Sequence, residues 1–521
     1  MKMKITFVTG FLLLLLSACS ANQMDDMEGM DHRSTNKEKT GQNNQTSQGT
    51  QDLASTKAPA ILEGKNNEFN ITAKEATHQL RGDVSLTAWT FNGSVPGDQI
   101  RIKQGEEVKI KLINTLPDPV TIHWHGITVK NNMDGIPGVT QNAVQPGESF
   151  VYSFTPKDAG TYMYHTHQDG VEQMDKGLAG SLIVEPVQPE KLNKDFTLVL
   201  DEWMSGGDSS SMMEGMNMSM ENNEEEENLM SHSMDGYDIY TINGKSGKDI
   251  EPLKVKEGDK VRIRLVNVGF MSHSFHLHGH EVKVVAIDGQ LVNQPKGFKD
   301  ELVSIAPGER YDLEFMADNP GEWYLESHGN KEGTKGMRTK IQYEQPVENS
   351  DQSNSTANLP IFDYTTYGKS KEASFTLDQT YDLDYTMNLN TEMKDHKMVY
   401  TINDKVFPET ENIQVEEGDL VKVRLKNDSM ADDHPMHLHG HFFQILSKNG
   451  KPLTGSPVIK DTVNVKPGDE YVIAFKADNP GDWLFHCHDL HHASAGMMNM
   501  LKYKGFTPDF EIDPNAQNSP H

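Results

Sequence analysis

The chain has 521 residues, of which 35% are hydrophobic and 8% aromatic, a composition typical of soluble globular domains. At about 100–200 residues per domain, this length predicts three domains rather than one. The formal net charge of −29 repels phosphate backbones and anionic lipid headgroups, which excludes nucleic acids as partners and leaves cations as the ions that the protein attracts.

The first 19 residues have the features of an export signal. Lys2 and Lys4 precede an apolar run of about 12 residues, which is too short to span a bilayer. The run ends in Leu-Ser-Ala-Cys, and this ending resembles the bacterial lipobox, whose cysteine is acylated. We therefore expect an exported lipoprotein, anchored through Cys19 on the extracytoplasmic face of the cell membrane. A signal peptide that merely contains a cysteine is the alternative.

The segment 20–58 is rich in Asn, Gln, Ser, Thr and Lys and has few aliphatic residues, which predicts a disordered tether. With Cys19 in the anchor, Cys487 is the one cysteine left for the folded part, so an intrachain disulfide is excluded. A lone cysteine in an oxidising compartment is a candidate metal ligand.

An internal repeat organises the rest of the chain. Apolar and polar residues alternate with period two at 105–114, 258–267 and 418–427, which predicts half-buried β-strands. Each copy continues with a His-x-His-Gly motif, a Pro-Gly-acid turn and a Gly-x-aromatic motif. Short strands with regular turns are typical of β-sandwiches. The predicted domains span 60–188, 189–346 and 360–508, with a polar linker at 347–359.

Ten of the 22 histidines lie in four tight clusters. Because residues i and i+2 of a strand face the same side, each His-x-His pair places two imidazoles on one face. Domains one and three together provide eight such imidazoles. These are His123, His125, His165, His167, His437, His439, His486 and His488.

The same parity predicts a second site. Cys487 lies between His486 and His488, so its thiolate points to the opposite face of that strand. His434 has the opposite parity to His437 and can share this far face with Cys487. His492 and then Met497 follow at intervals of five residues. Two histidines, a cysteine and a weak axial methionine are typical of an electron-transfer copper, whereas zinc prefers closed tetrahedral sites.

These motifs resemble those of the multicopper oxidases, specifically the three-domain laccase-type branch, over about 60–508. The resemblance implies an all-β chain of three cupredoxin-like Greek-key β-sandwich domains with four copper ions. It also implies one-electron oxidation of a reductant coupled to four-electron reduction of dioxygen to water. By resemblance, the type 1 ligands are His434, Cys487, His492 and Met497. The type 2 ligands are His123 and His437, and the type 3 ligands are His125, His165, His167, His439, His486 and His488.

Asp134 corresponds to an acidic residue that the family uses to supply protons, and we assign it this catalytic role beside Cys487. A structural aspartate before Gly135 is the alternative. Many bacterial relatives have glutamate directly after the histidine at position 492, whereas this chain has Ala493. This departure leaves the second proton donor open.

Domain two keeps part of the same pattern. It aligns without gaps with domain three over 318–328 and 478–488, so Ser327 replaces the cysteine and Glu332 replaces a histidine. Without a thiolate it cannot hold a blue copper. The favoured interpretation is a vestigial domain with hydrogen-bonded histidines, and an accessory copper site around His273 is the alternative. The retained residues are His273, His276, His278, His280, His328 and Met337.

An insertion at 204–234 combines methionines with Gly, Ser, Asn and acidic residues, without a helical period. Thioethers select Cu(I), so the insertion predicts a Cu(I) substrate and a role in copper tolerance. Met430, Asp432 and Asp433 could hold a Cu(I) ion beside the type 1 site. The insertion residues assigned to substrate copper are Met212, Met213, Met216, Met218 and Met220.

Two alternatives remain open for the function. One is a general laccase that oxidises phenols and aromatic amines, and the other is a non-enzymatic copper-sequestering lipoprotein. For the enzyme we expect dioxygen and a Cu(I) or phenolic reductant as partners, a membrane contact only through the lipid anchor, and a monomer.

Overall fold

The computed structural model describes residues 53–205, 236–328, 336–344 and 359–520. Several predicted features lie outside these ranges: the signal with Cys19, the tether up to residue 52, the five substrate methionines from Met212 to Met220, Glu332 and most of the linker. In the described ranges, no helix is both long enough and apolar enough to cross a bilayer.

Domain one is a sandwich of two four-stranded sheets, ordered β2-β1-β4-β6 and β3-β8-β7-β5. The alternation at 105–114 forms β4, whose Val108, Ile110 and Leu112 are buried in the domain's core. The strands are β1 (Glu68–Arg81), β2 (Val84–Phe91), β3 (Gly97–Lys103), β4 (Val108–Asn114), β5 (His123–His125), β6 (Ser149–Phe154), β7 (Gly160–His165) and β8 (Ala179–Glu185).

Domain two repeats this plan with sheets ordered β10-β9-β12-β17-β14-β15 and β11-β19-β18-β13-β16. The strands are β9 (Lys194–Trp203), β10 (Ile239–Ile242), β11 (Leu253–Val255), β12 (Lys260–Asn267), β13 (His273–Leu277), β14 (Val282–Ile287), β15 (Gln290–Leu291), β16 (Val303–Ile305), β17 (Arg310–Met316), β18 (Glu322–Ser327) and β19 (Arg338–Tyr343).

Domain three has sheets ordered β21-β20-β23-β29-β25-β26, with β27 paired to β25, and β22-β31-β30-β24-β28. The strands are β20 (Leu383–Lys394), β21 (Lys397–Ile402), β22 (Ile413–Val415), β23 (Leu420–Asn427), β24 (His434–Leu438), β25 (Phe443–Lys448), β26 (Lys451–Pro452), β27 (Val458–Lys460), β28 (Thr462–Val465), β29 (Glu470–Lys476), β30 (Asp482–Cys487) and β31 (Met498–Tyr503).

The described residues thus confirm the predicted all-β fold of three sandwiches, each with its own apolar core. Two short α-helices lie among the described residues, α1 (Gly170–Asp175) and α2 (Leu490–Ser494). Three segments outside the sandwiches pair with them or pack on them. Ser55 and Lys57 form bridges to domain one, Phe362 packs in the core of domain two, and Asn518 bonds to domain one.

Candidate metal centres

The predicted type 1 residues meet at one end of domain three. Strands β24 and β30 pair so that Met436 lies opposite Cys487, which brings His434 to the cysteine. Cys487 Sγ lies 4.0 Å from His434 Nδ1 and 3.6 Å from His492 Nδ1, and the two Nδ1 atoms are 3.3 Å apart. Helix α2 follows β30 directly and supplies His492. The three side chains form a compact, fully buried ligand set.

The surroundings of this set are apolar and tightly packed. Met497 is fully buried in the same core as Cys487, and its carbonyl accepts the Cys487 amide at 3.1 Å. The Tyr400 ring stacks on His492 with 3.9 Å between ring centroids. Burial raises the pKa of the Cys487 thiol well above its usual range, so the thiolate needs a bound cation beside it.

The eight other predicted histidines converge between domains one and three. Strands β5 and β7 place His123 opposite His165, and strands β24 and β30 place His437 opposite His486. The rings approach closely across the domain boundary: the His125 and His437 centroids are 3.7 Å apart and stacked. Strand alternation therefore separates Cys487 from its two neighbours as predicted.

The free nitrogens of this cluster show that it fits a metal. His123, His165 and His437 each use Nδ1 to donate to a backbone carbonyl, at 2.8, 2.7 and 3.0 Å. Among the described residues, none bonds to the Nε2 atoms of these three rings, although all are buried. Buried imidazole nitrogens without partners are costly unless a cation binds them. Imidazole ligands suit copper.

Asp134 lies directly behind the cluster. Its Oδ2 accepts from His439 Nδ1 at 2.9 Å, and its Oδ1 lies 3.3 Å from His123 Nδ1. The carboxyl group is fully buried, at the turn that precedes Gly135. Gly135 has φ +81°, and a Cβ there would lie 1.8 Å from the carbonyl oxygen of Ile122, so only glycine fits. Asp134 thus orients one histidine from each domain.

Sequence reasoning missed Asp461, a second buried carboxylate at the cluster. Its Oδ1 accepts from His125 Nε2 at 3.1 Å, and its backbone carbonyl accepts from His437. Arg310 of domain two binds both Asp461 oxygens, at 2.8 and 2.5 Å. Burial is the largest single influence and raises the pKa of Asp461, but the contacts with Arg310 and His125 together hold it well below its usual range. Domain two therefore supports the cluster electrostatically.

Two further contacts were also missed. Gly308, in the Pro-Gly turn of domain two, has φ +82°, and a Cβ there would lie 2.9 Å from the His488 ring. The carbonyl of Pro520 accepts from His167 Nδ1 at 2.8 Å, so the last described residues lie against the cluster. Of these residues, only Arg310 could have been noticed in the sequence. It follows the repeated Pro-Gly turn as a cation, whereas the other two copies have Ser149 and Glu470 at that position.

The residues predicted to hold substrate copper occupy different environments. Met430 is 74% exposed, four residues before His434. Asp433 is half-buried and accepts from Asn464 at 2.8 Å. Asp432 is buried and accepts from the Thr391 hydroxyl at 2.8 Å, so it faces inward.

The described ends of the methionine-rich insertion lie beside the type 1 set. Ser205 donates through its amide and hydroxyl to Asp238, at 2.7 and 2.6 Å, which closes the base of the insertion. Tyr237 contacts His491 Nε2 at 3.0 Å, on the helix that carries His492. Met204 packs in the same apolar cluster as residues of that helix.

In domain two the position that corresponds to the type 1 site contains no thiolate. His273 Nε2 is hydrogen-bonded to the buried Glu202 carboxylate, and Ser327 stands where domain three has Cys487. His280 bonds to the Tyr343 hydroxyl at 2.7 Å, as His441 does to Tyr503. His276, His278 and His328 gather on the opposite face.

Known proteins share this architecture. Family models described as multicopper oxidase match residues 72–189, and 218–346 with 374–505. Multicopper oxidase MmcO of Mycobacterium tuberculosis is 30% identical, with 84% of this chain and 88% of that one covered. Laccase-2 of Botryotinia fuckeliana is 29% identical, covering 83% and 81%. The crystal structure of a multi-copper oxidase from Pseudomonas thermotolerans is 26% identical, with a TM-score of 0.64, covering 85% and 100%. The chain belongs to the multicopper oxidase family, oxidoreductases that hold four coppers and use oxygen.

Proposed function

We propose that this multicopper oxidase takes its electrons from Cu(I) outside the cytoplasm and so contributes to copper tolerance. The observation that carries the proposal is the position of the insertion: both of its described ends lie against the helix that supplies His492. The intervening segment contributes methionine thioethers, which prefer Cu(I), and acidic side chains, which add cation attraction. The exposed Met430 thioether, four residues before His434, adds a soft ligand.

The coppers supply one-electron redox chemistry at the type 1 site and four-electron reduction of dioxygen at the cluster. This chain's residues connect the two sites. Cys487 is joined by single peptide units to His486 and His488, so a short covalent path runs from the thiolate to the cluster. Full burial of these three residues excludes water from that path.

Protons are proposed to reach the cluster by way of Asp134, since its carboxyl is bonded to His439 and lies beside His123. Ala493 is buried in an apolar cluster and offers no second acid at that position. We expect Asp134→Asn to slow oxygen uptake by about 100-fold or more while the blue absorption stays. Unchanged oxygen uptake would contradict the proton role.

The substrate is tested by replacing thioethers without changing chain length. A variant with Met212, Met213, Met216, Met218 and Met220 all changed to Leu keeps the apolar character but removes the sulfur ligands. On copper-loaded protein, we expect a raised KM for Cu(I) in steady-state oxygen uptake and unchanged kinetics with a phenol. The matched control changes residues 224–227 from Glu to Gln, which tests charge rather than sulfur. Equal changes with both substrates would reject Cu(I) as the specific reductant.

A second candidate substrate class is phenols and aromatic amines. The observation that favours it is the 29% identity to a protein named laccase. Under this alternative, phenol oxidation is faster than Cu(I) oxidation after residues 206–235 are removed. The deletion then lowers the rate of Cu(I) oxidation no more than that of phenol oxidation. The sequestration alternative is disfavoured because the chain belongs to a family of oxygen-using oxidases.

We also propose that the enzyme is exported and attached to the cell membrane through lipid on Cys19, and that it acts as a monomer. The Leu-Ser-Ala-Cys ending of the signal supports the anchor. In detergent phase partitioning, the Cys19→Ala variant should be found in the aqueous phase, whereas the parent should be found in the detergent phase. Equal partitioning of variant and parent would reject the anchor.

A further inference from the structure

Domain two retains half of a metal cluster, and no described histidine of another domain completes it. In domain three, β24 and β30 pair with His437 opposite His486. In domain two, β13 and β18 pair in the same register, with His276 opposite Glu326. By this register, the four positions that hold cluster histidines in domain three hold His276, His278, Glu326 and His328 in domain two.

These side chains are close enough to share one ion. The ligand nitrogens of His276, His278 and His328 all lie within 4.8 Å of one another. Glu326 Oε1 is 3.4 Å from His278 Nε2 and 3.6 Å from His328 Nε2. Ligand atoms bound to one ion at about 2.1 Å lie about 3.0 Å apart in a square plane and about 3.4 Å apart in a tetrahedron, so small ring rotations complete the site in either geometry.

His276 provides the independent sign of a missing ligand. It is only 5% exposed, and among the described residues neither ring nitrogen has a hydrogen-bond partner. Its ring centroid lies 4.3 Å from that of His278 and 5.4 Å from that of His328, so the three imidazoles face one another. Its nearest carboxylate oxygen, on the exposed Asp300, is 3.3 Å from Nε2.

Glu326 lies between the imidazoles and a cation. Its Oε1 faces the rings of His278 and His328, and its Oε2 lies 3.6 Å from Arg338 Nε. Arg338 is fixed in turn by stacking 3.7 Å from the centre of the Tyr324 ring. The donor set is therefore three imidazoles and one carboxylate, with no sulfur.

We propose that His276, His278, His328 and Glu326 bind one divalent transition-metal ion, with Cu(II) preferred over Zn(II), as a fifth metal site separate from the four family coppers. Nitrogen and oxygen donors without thioethers select the divalent ion rather than Cu(I), and Cu(II) binds such donors more tightly than Zn(II) does. The site is single because the imidazoles of domain one that complete a cluster are all placed against domain three. This proposal does not depend on the identity of the reductant.

The test counts metal on the full chain already loaded with its four coppers. Excess CuCl2 is added, free metal is removed on a desalting column, and bound copper per chain is measured by mass spectrometry of the digested protein. The double variant His276→Ala with His328→Ala is compared with the parent and with His396→Ala, an exposed histidine in a turn. We expect the double variant to bind one Cu(II) fewer than both, with the blue absorption and oxygen uptake retained.

A milder variant guards against misfolding. Glu326→Gln keeps size and polarity but loses the charge, and we expect its fifth Cu(II) to dissociate at least about tenfold more readily in a chelator titration. The electron paramagnetic resonance spectrum of the double variant should lack one nitrogen-ligated Cu(II) signal. In the parent, Zn(II) should displace that signal only when its concentration is higher than that of Cu(II). Equal copper counts in parent and double variant, or an unaltered titration of Glu326→Gln, would overturn the proposal.

Discussion

Domains two and three are built on the same scaffold but treat metal differently. Both have two packed sheets, the same strand order and the same register between the strands that carry the histidines. Domain three has Cys487 where domain two has Ser327, and its His434 faces that thiol, whereas His273 is paired with Glu202. The sandwich therefore sets only the positions, and a few side chains decide whether those positions hold an electron-transfer metal.

The largest loss of activity is expected when Cys487 of domain three is replaced by serine, the residue that domain two has at the corresponding position 327. Cys487→Ser removes the thiolate, so the intense absorption near about 600 nm should vanish and oxygen uptake with any reductant should fall to background. The measurement is visible spectroscopy followed by oxygen uptake on copper-loaded protein.

The reverse exchange provides the control. Ser327→Cys puts a thiol into domain two, but His273 is already paired with Glu202, so no second blue band should appear. A new band in this variant would show that a thiol alone restores a blue copper site in domain two, and retained blue absorption in Cys487→Ser would contradict the site assignment.

Domain two also acts as a support for the cluster beside domain three. Arg310→Met leaves the buried Asp461 carboxylate without its cation, which should lower the free energy of unfolding by about 3–5 kcal/mol. Urea denaturation followed by circular dichroism measures this change. Lys426→Met, which breaks the exposed ion pair with Asp428, should leave stability nearly unchanged. Equal shifts in the two variants would show that domain two is not a support.

The repeated Pro-Gly turn gives a finer comparison between domains. Gly308 in domain two and Gly147 in domain one both have φ +82°, so alanine costs about 1–2 kcal/mol of backbone strain at either position. Only at Gly308 does the added Cβ meet metal-site residues, 2.9 Å from His488 and 3.1 Å from His125. We expect Gly308→Ala to lower copper content and oxygen uptake, whereas Gly147→Ala affects stability alone. Full copper content in Gly308→Ala would contradict this reasoning.

The repeat made much of the molecule predictable. Period-two alternation located β4, β12 and β23, and strand parity separated Cys487 from the cluster histidines, because both depend on residues close in sequence. The support from domain two could not be predicted, because Arg310 and Asp461 are 151 residues apart and belong to different copies. Neither alternation nor spacing reports which turns of separate domains come into contact.

The last effect appears only below pH 6.5 and concerns the contact of domain two with domain one. His78 on β1 is buried and lies 2.8 Å from the Gly244 carbonyl of domain two, and burial lowers its pKa from 6.5 to about 4. Below pH 6.5 the unfolded chain takes up a proton that the folded chain refuses until about pH 4. The contribution of His78 is therefore fully present above pH 6.5 and declines by about 3 kcal/mol as the pH falls to 4.

His78→Gln isolates this term, since glutamine can still reach the carbonyl but does not titrate. The difference in free energy of unfolding between parent and variant, measured by urea denaturation from pH 7 to pH 4, should shift in favour of the variant as the pH falls. Both proteins carry the same metal ligands, so the pH dependence of the metal sites cancels in this difference. Parallel curves would mean that the contact between domains one and two is insensitive to the His78 proton, so that domain two would be joined to domain one by packing rather than by a neutral imidazole.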